Sequence, residues 1–319
     1  GQKIGRADEH VQYRRLFRAD DDFHPEDRPP EERDNWLVGK EWYLKAIDAV
    51  NNKGRSYGKK SPKVFFSSPA MSQMNYAEAI ETEGFFDKAR RAWARAESEW
   101  KEFGDLMIEH STGVQLHLND VPKLEEEVAA LQAELDALMP DVRDQLQEEK
   151  REALSPAKRE ALDTPPAERS NSQYELAYTA TRETAVTHRE VAEKIAEVNP
   201  ELAREALKLA GELAETERRL RYTENYKRDS NFDYWKLRAE FEQTPEALRA
   251  REMMFLGKKA FVDQADLITA KERYDEGFRE WRKVLDKFPA LLDDEGTTGD
   301  DLIEYVKEYR KILDQLDET

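Results

Sequence analysis

Apolar residues recur along most of this chain at steps of three and four, with charged residues filling the intervals, the signature of amphipathic α-helix. The first such stretch, residues 2–18, carries Ile4, Val11, Leu16 and Phe17. The acidic run at 20–22 with Pro25, Pro29 and Pro30 ends it in an extended connector. Trp36, Val38, Trp42, Ile47 and Val50 mark a helix over residues 35–50, and residues 51–70 then break the pattern. Tyr76, Ala79, Ile80, Phe86, Ala89, Trp93, Ala96 and Trp100 mark one or two helices across 72–103, with Gly84 as the bend. Only KVFFSS at 63–68 and GVQLHL at 113–118 look strand-like, so at most one small β ribbon is expected.

From Leu124 the steps alternate strictly: Leu124, Val128, Leu131, Leu135, Leu138 and Val142 form a heptad stripe that needs a partner helix. Pro140 should interrupt it. Ser155-Pro156 supplies an N-cap followed by proline at the first helical position, and Thr164-Pro165-Pro166 stops that short helix. One helix is expected from about 172 to 198. Asn199-Pro200 starts the next, which should run past Trp235 and offer Leu202, Leu209, Leu213 and Leu220 to the heptad stripe. Thr244-Pro245 caps a helix through Leu256, Gly257 and Phe261, and another follows over 266–288. Pro289 and the loop DDEGTTGD separate it from a last helix bearing Leu302, Val306, Tyr309, Leu313 and Leu316.

Self-comparison reveals an imperfect repeat. FFDKARRAWARA, with Phe86, Ala89, Trp93 and Ala96, echoes RYDEGFREWRKV, with Tyr274, Gly277, Trp281 and Val284. Upstream, WLVGKEW around Gly39 echoes FLGKKAF around Gly257. Small residues on an inner face let a neighbouring backbone approach, and the aromatics fill the groove beside it. The spacing resembles the tetratricopeptide repeat, with Pro289 as its closing proline. The first copy lacks that proline and carries an insertion of about thirty residues between Gly39 and Phe86. The expected fold is therefore all-α: tetratricopeptide-like helical hairpins plus a long antiparallel, coiled-coil-like helical arm. Three regions follow: an N-terminal tetratricopeptide-like region with an inserted loop at 1–121, the arm at 122–240, and C-terminal tetratricopeptide-like helices at 241–319.

At a finer level, GQKIGRADEHVQYRRLF, RDNWLVGKEWYLKA and RDSNFDYWKLRAEFEQTPEALRARE resemble a family of uncharacterised planctomycete proteins across most of the chain. Some members carry a label mentioning an iron-responsive element. The resemblance implies an N-terminal membrane segment and further tetratricopeptide-like helices upstream, which would make this chain the C-terminal part of a membrane-anchored, extracytoplasmic bacterial protein. It implies no site residues. The start at Gly1, without methionine, reads the same way.

Charge narrows the partners. Fifty-one basic against 69 acidic residues leave −18, a field that repels nucleic acid and anionic lipid, so neither nucleic acid nor direct membrane contact is expected. With 38% charged residues against 39% hydrophobic, the composition suits helices with a single apolar stripe. No cysteine is present, so disulfides, thiolate metal sites and a Cys nucleophile are excluded.

Catalytic patterns are weak. GRSYGKKS at 54–61 has three residues rather than four between its glycines and no preceding strand, so it is a poor phosphate loop. Lys53, Arg55, Lys59, Lys60 and Lys63 nevertheless gather positive charge around Tyr57; a solvated loop is the bland reading, and contact with an anion or an acidic partner the functional one. His10, His24, His110, His117 and His188 are scattered, with no HExxH and no ExxH pair, and no metal or cofactor is expected. Phe232, Tyr234, Trp235 and Phe241 could line a groove, but at helical spacing they fit core. The leading expectation is a non-enzymatic scaffold for a protein or peptide partner. A helical metal-binding protein or enzyme using carboxylates and histidines is the rival, and a structural envelope or spacer protein the third reading.

Overall fold

A computed structural model describes residues 34–53, 66–293 and 297–318, and these form an all-α chain. The leading segment 2–18, the connector and most of the basic loop lie outside the described residues. Contacts divide the chain into two units. One joins the described residues up to Leu106 with those from Lys227 onward, and the other spans Met107–Tyr226. The three regions read from the sequence are thus redrawn: the N- and C-terminal regions belong to one body, and the middle one begins and ends earlier than expected. The reason is aromatic. Phe232 packs edge-on against Trp100 at 6.0 Å and tilted against Phe103 at 6.0 Å, so the segment after the middle unit closes onto the one before it.

The first, or hairpin, unit contains α1 (Asn35–Lys53), α2 (Ser68–Thr82) and α3 (Phe86–Asp105). Phe66 and Ser67 form a tight turn into α2, and residues 63–65 of the strand-like KVFFSS lie outside the described residues. Gly84, at φ +90°, makes the reversal between α2 and α3. Trp93 reaches back to Glu81 and Trp100 to Met74, two contacts that fix an antiparallel pair.

The middle unit holds a two-residue ribbon, β1 (Ile108–Glu109) antiparallel to β2 (Gln115–Leu116), with Ile108 opposite Leu116. It continues through α4 (Val121–Leu138), α5 (Val142–Glu152), α6 (Pro156–Asp163), α7 (Asn171–Thr184), α8 (His188–Val198) and nearly all of α9 (Ala203–Asp229). The chain breaks at Pro140 as expected, with Asp141 in the left-handed region. The Ser155 hydroxyl caps α6. The single helix expected over 172–198 is two, because the Thr187 hydroxyl and the Glu190 carboxylate form a capping box that restarts the chain. The heptad stripe is covered within the chain, but by more than one helix: Leu135 and Val142 share a core with Val191 and Ile195 of α8 and with Leu209 and Leu213 of α9. α9 does not run past Trp235, because Asn231 turns left-handed at φ +49° and a separate helix follows.

That helix, α10 (Phe232–Glu242), returns to the hairpin unit and is followed by α11 (Pro245–Gln264), α12 (Leu267–Lys287) and α13 (Thr297–Gln315). Thr244 caps α11 with proline at its start, and Asp266 caps α12. α12 lies between α11 and α13. The Tyr274 hydroxyl donates to Glu308 at 2.5 Å and the Tyr309 hydroxyl to Asp275 at 2.5 Å. No described helix is long and apolar enough to cross a membrane.

Candidate functional site

The repeat residues give the hairpin unit its interior. Ala89, Trp93, Ala96, Tyr274, Trp281 and Val284 are all buried. A Cβ on Gly257 would stand 2.7 Å from the Tyr274 ring, and one on Gly277 2.9 Å from the Met254 methyl. These glycines are what lets α11 and α12 close on each other. Gly39 does not play the part its echo of Gly257 led us to expect: a Cβ there meets nothing within 4 Å among the described residues. The antiparallel partner of α3 is α2, so α1 is an additional helix and the extra residues between Gly39 and Phe86 include the true partner. Pro289 is exposed and opens a short turn after α12. Phe86 is half-buried and meets Phe255 of α11 edge-on at 5.8 Å, which brings the two copies together.

Where they meet lies a buried ion network. Each repeat tryptophan carries an arginine over its ring: Arg238 of α10 stands 5.5 Å from the Trp93 ring and Arg251 of α11 stands 5.0 Å from that of Trp281. Arg251 is 7% exposed, so its charge must be matched inside the protein. It donates to both oxygens of Glu242, at 3.2 and 2.5 Å, and to Asp301 Oδ2 at 2.8 Å and the Tyr305 hydroxyl at 3.0 Å. Glu81 approaches it at 3.4 Å and accepts from Trp93 Nε1 at 2.9 Å. Arg238 lies 3.4 Å from Glu78 and 3.7 Å from Glu242. Burial, reinforced by Glu242, pushes the Glu81 carboxyl up to about 8 despite the attraction of Arg251. Burial works against the Arg251 charge, but Glu242 and its other neighbours more than offset this and hold the guanidinium well above its ordinary value.

A cleft of about 540 Å³ opens directly above this network. Glu78, Glu81 and Glu83 line it from the end of α2, Arg251, Met254, Phe255, Lys258, Lys259, Val262 and Asp263 from α11, and Asp301 and Tyr305 from α13, with Phe86 at one edge. Phe86, Met254, Phe255 and Val262 interrupt a lining that is otherwise mostly charged. Lys258 is drawn aside to Glu308 at 3.0 Å.

Other residues singled out in the sequence fall elsewhere. Arg55, Lys59, Lys60 and Lys63 lie outside the described residues, as does the side chain of Lys53. His110 stacks on Tyr222 at 4.0 Å, and His188 Nε2 lies 2.8 Å from Glu217, both in the middle unit. Among the described residues, no group of three His, Asp or Glu side chains could hold a metal ion. Phe232 and Phe241 are fully buried core, while Tyr234 and Trp235 are half-buried and in contact with each other. Sequence reasoning did not single out Glu81, Arg238, Glu242, Arg251 or Asp301. One signal was present: Arg251 adjoins the buried stripe Ala247, Ala250, Met254 and Gly257, and so does not belong to a wholly polar face. No protein-family model, curated protein or solved structure matches the chain.

Proposed function

We propose that this chain is a non-enzymatic helical scaffold whose hairpin unit, built from tetratricopeptide-like helix pairs, holds a segment of a partner protein in the cleft above Arg251. The repeat geometry supports the first part. Gly257 against Tyr274 and Gly277 against Met254 are the close backbone approaches that the repeat pattern requires. One observation carries the second: a cleft lined in part by Phe86, Met254, Phe255 and Val262, over a floor whose Arg251 guanidinium is engaged by Glu242, Asp301 and Tyr305. A floor fixed in this way presents shape and charge without rearranging, which favours recognition. Phe86, Phe255 and Val262 supply apolar anchoring surface beside the charged groups.

A photo-crosslinking amino acid at Val262, a cleft residue that is 65% exposed, tests this in cells that express the protein. A discrete protein adduct should form at 262 and not at Arg282, an exposed residue of α12. Absence of any adduct at 262, together with stoichiometric iron, manganese or zinc in the purified protein, would replace the scaffold reading with the metal-binding one.

A further inference from the structure

Among the described residues, the network under the cleft is short of positive charge. Four carboxylates, Glu78, Glu81, Glu242 and Asp301, face two guanidiniums, Arg238 and Arg251. Glu242 is wholly buried on the far side of Arg251, whereas Glu78, Glu81 and Asp301 line the cleft. Resting on the reading of this cleft as a partner site, we propose that its occupant is a lysine or arginine side chain of the partner, flanked by an apolar residue. The cation would sit over Glu81 and Asp301, and its alkyl stem would run along Phe255 and Met254.

Arg251 itself cannot serve an acidic ligand well, because its donors are already directed at Glu242, Asp301 and Tyr305. Lys258 is paired with Glu308, which leaves the exposed Lys259, among the described residues, as the cation on the rim that opposes the proposal. The missing positive charge also accounts for the behaviour of Glu81, which is packed among Arg251 of α11, Arg238 and Glu242 of α10, Trp93 of α3, and Asp301 and Tyr305 of α13. Burial and Glu242 keep a proton on it near neutrality. An incoming ammonium or guanidinium supplies the charge that the proton now supplies, so the proton leaves for solvent as the cation enters. Binding should therefore strengthen as pH rises through about 8.

Random heptapeptides displayed on phage, selected on the full chain at pH 9, provide the test, scoring only phage that Val262→Arg no longer retains. Enriched peptides should pair Lys or Arg with an adjacent large apolar residue. A synthetic copy of the most enriched one should bind at least tenfold more tightly at pH 9 than at pH 6. Glu81→Gln should remove that pH dependence, and Lys259→Glu, at an exposed position that leaves the fold intact, should tighten binding severalfold. Enriched peptides that depend on Val262 but are acidic or neutral, or that bind equally at both pH values, overturn the cation proposal and leave the cleft a partner site. No peptide sensitive to Val262→Arg overturns both.

Discussion

Arg251 and Glu81 show how a charged residue can be interior without being a fault. A buried guanidinium is tolerable here because Glu242 takes it bidentately and Trp281 lies beneath it, and the cost falls instead on Glu81, the carboxylate left over. The sign of its effect on stability follows directly. Between its ordinary value of 4.5 and about 8, the folded chain holds a proton that the unfolded chain has released. The contribution is therefore complete below 4.5 and is lost as pH rises through about 8, with a slope of up to about 1.4 kcal/mol per pH unit. Urea unfolding at pH 6 and pH 8 should show wild type losing more stability than Glu81→Gln over that interval; parallel losses would mean that Glu81 is not protonated in the folded state. Glu190 of the middle unit has the opposite sign. A hydrogen bond from Lys150, with the Thr187 backbone, lowers it to about 2, so its contribution is present above 4.5 and disappears in acid. None of this was legible in a sequence with 69 acidic residues, because which carboxylate is left over depends on packing between α2, α10 and α11.

At the scale of elements, the sequence was informative wherever the signal was local. Ser155-Pro156 and Thr244-Pro245 cap the helices they were expected to cap, and Gly84 makes the bend. Thr187 with Glu190 is a capping signal of the same kind, hidden within an otherwise periodic run. The repeat was legible in its second helices and misleading in its first, because an echo of letters around Gly39 and Gly257 says nothing about which helix each one meets. Substitution separates the two glycines. Gly257→Ala forces a methyl into the buried Tyr274 ring and should destabilise the chain by about 1–3 kcal/mol, as overpacking does. Gly39→Ala, in α1, meets no described neighbour and should stabilise the helix by about 0.5–1 kcal/mol. Denaturation midpoints that move together in the same direction would show that both glycines serve one packing role.

For the whole molecule, the division of labour follows chain order only in part. The segments before Leu106 and after Lys227 build one unit and its cleft, while Met107–Tyr226 builds another around the heptad stripe. Strict heptad spacing announced that Leu135 needed a partner, but spacing alone could not reveal that α5, α8 and α9 would share the task. Nor could it reveal a cleft, since Glu81, Arg251 and Asp301 are brought together by tertiary contacts over as many as 220 positions of the sequence. If the hairpin unit is the working part, a bound partner should leave its mark there. Hydrogen exchange of the full chain, alone and saturated with the partner trapped at position 262, measures this directly. Exchange should slow at the end of α2 around Glu81, along α11 from Arg251 to Asp263, and at the start of α13 around Asp301 and Tyr305, with residues 107–226 unchanged. Slowing confined to residues 107–226, or to the exposed face of α1 that bears Trp42, would contradict the assignment of the cleft as the binding site.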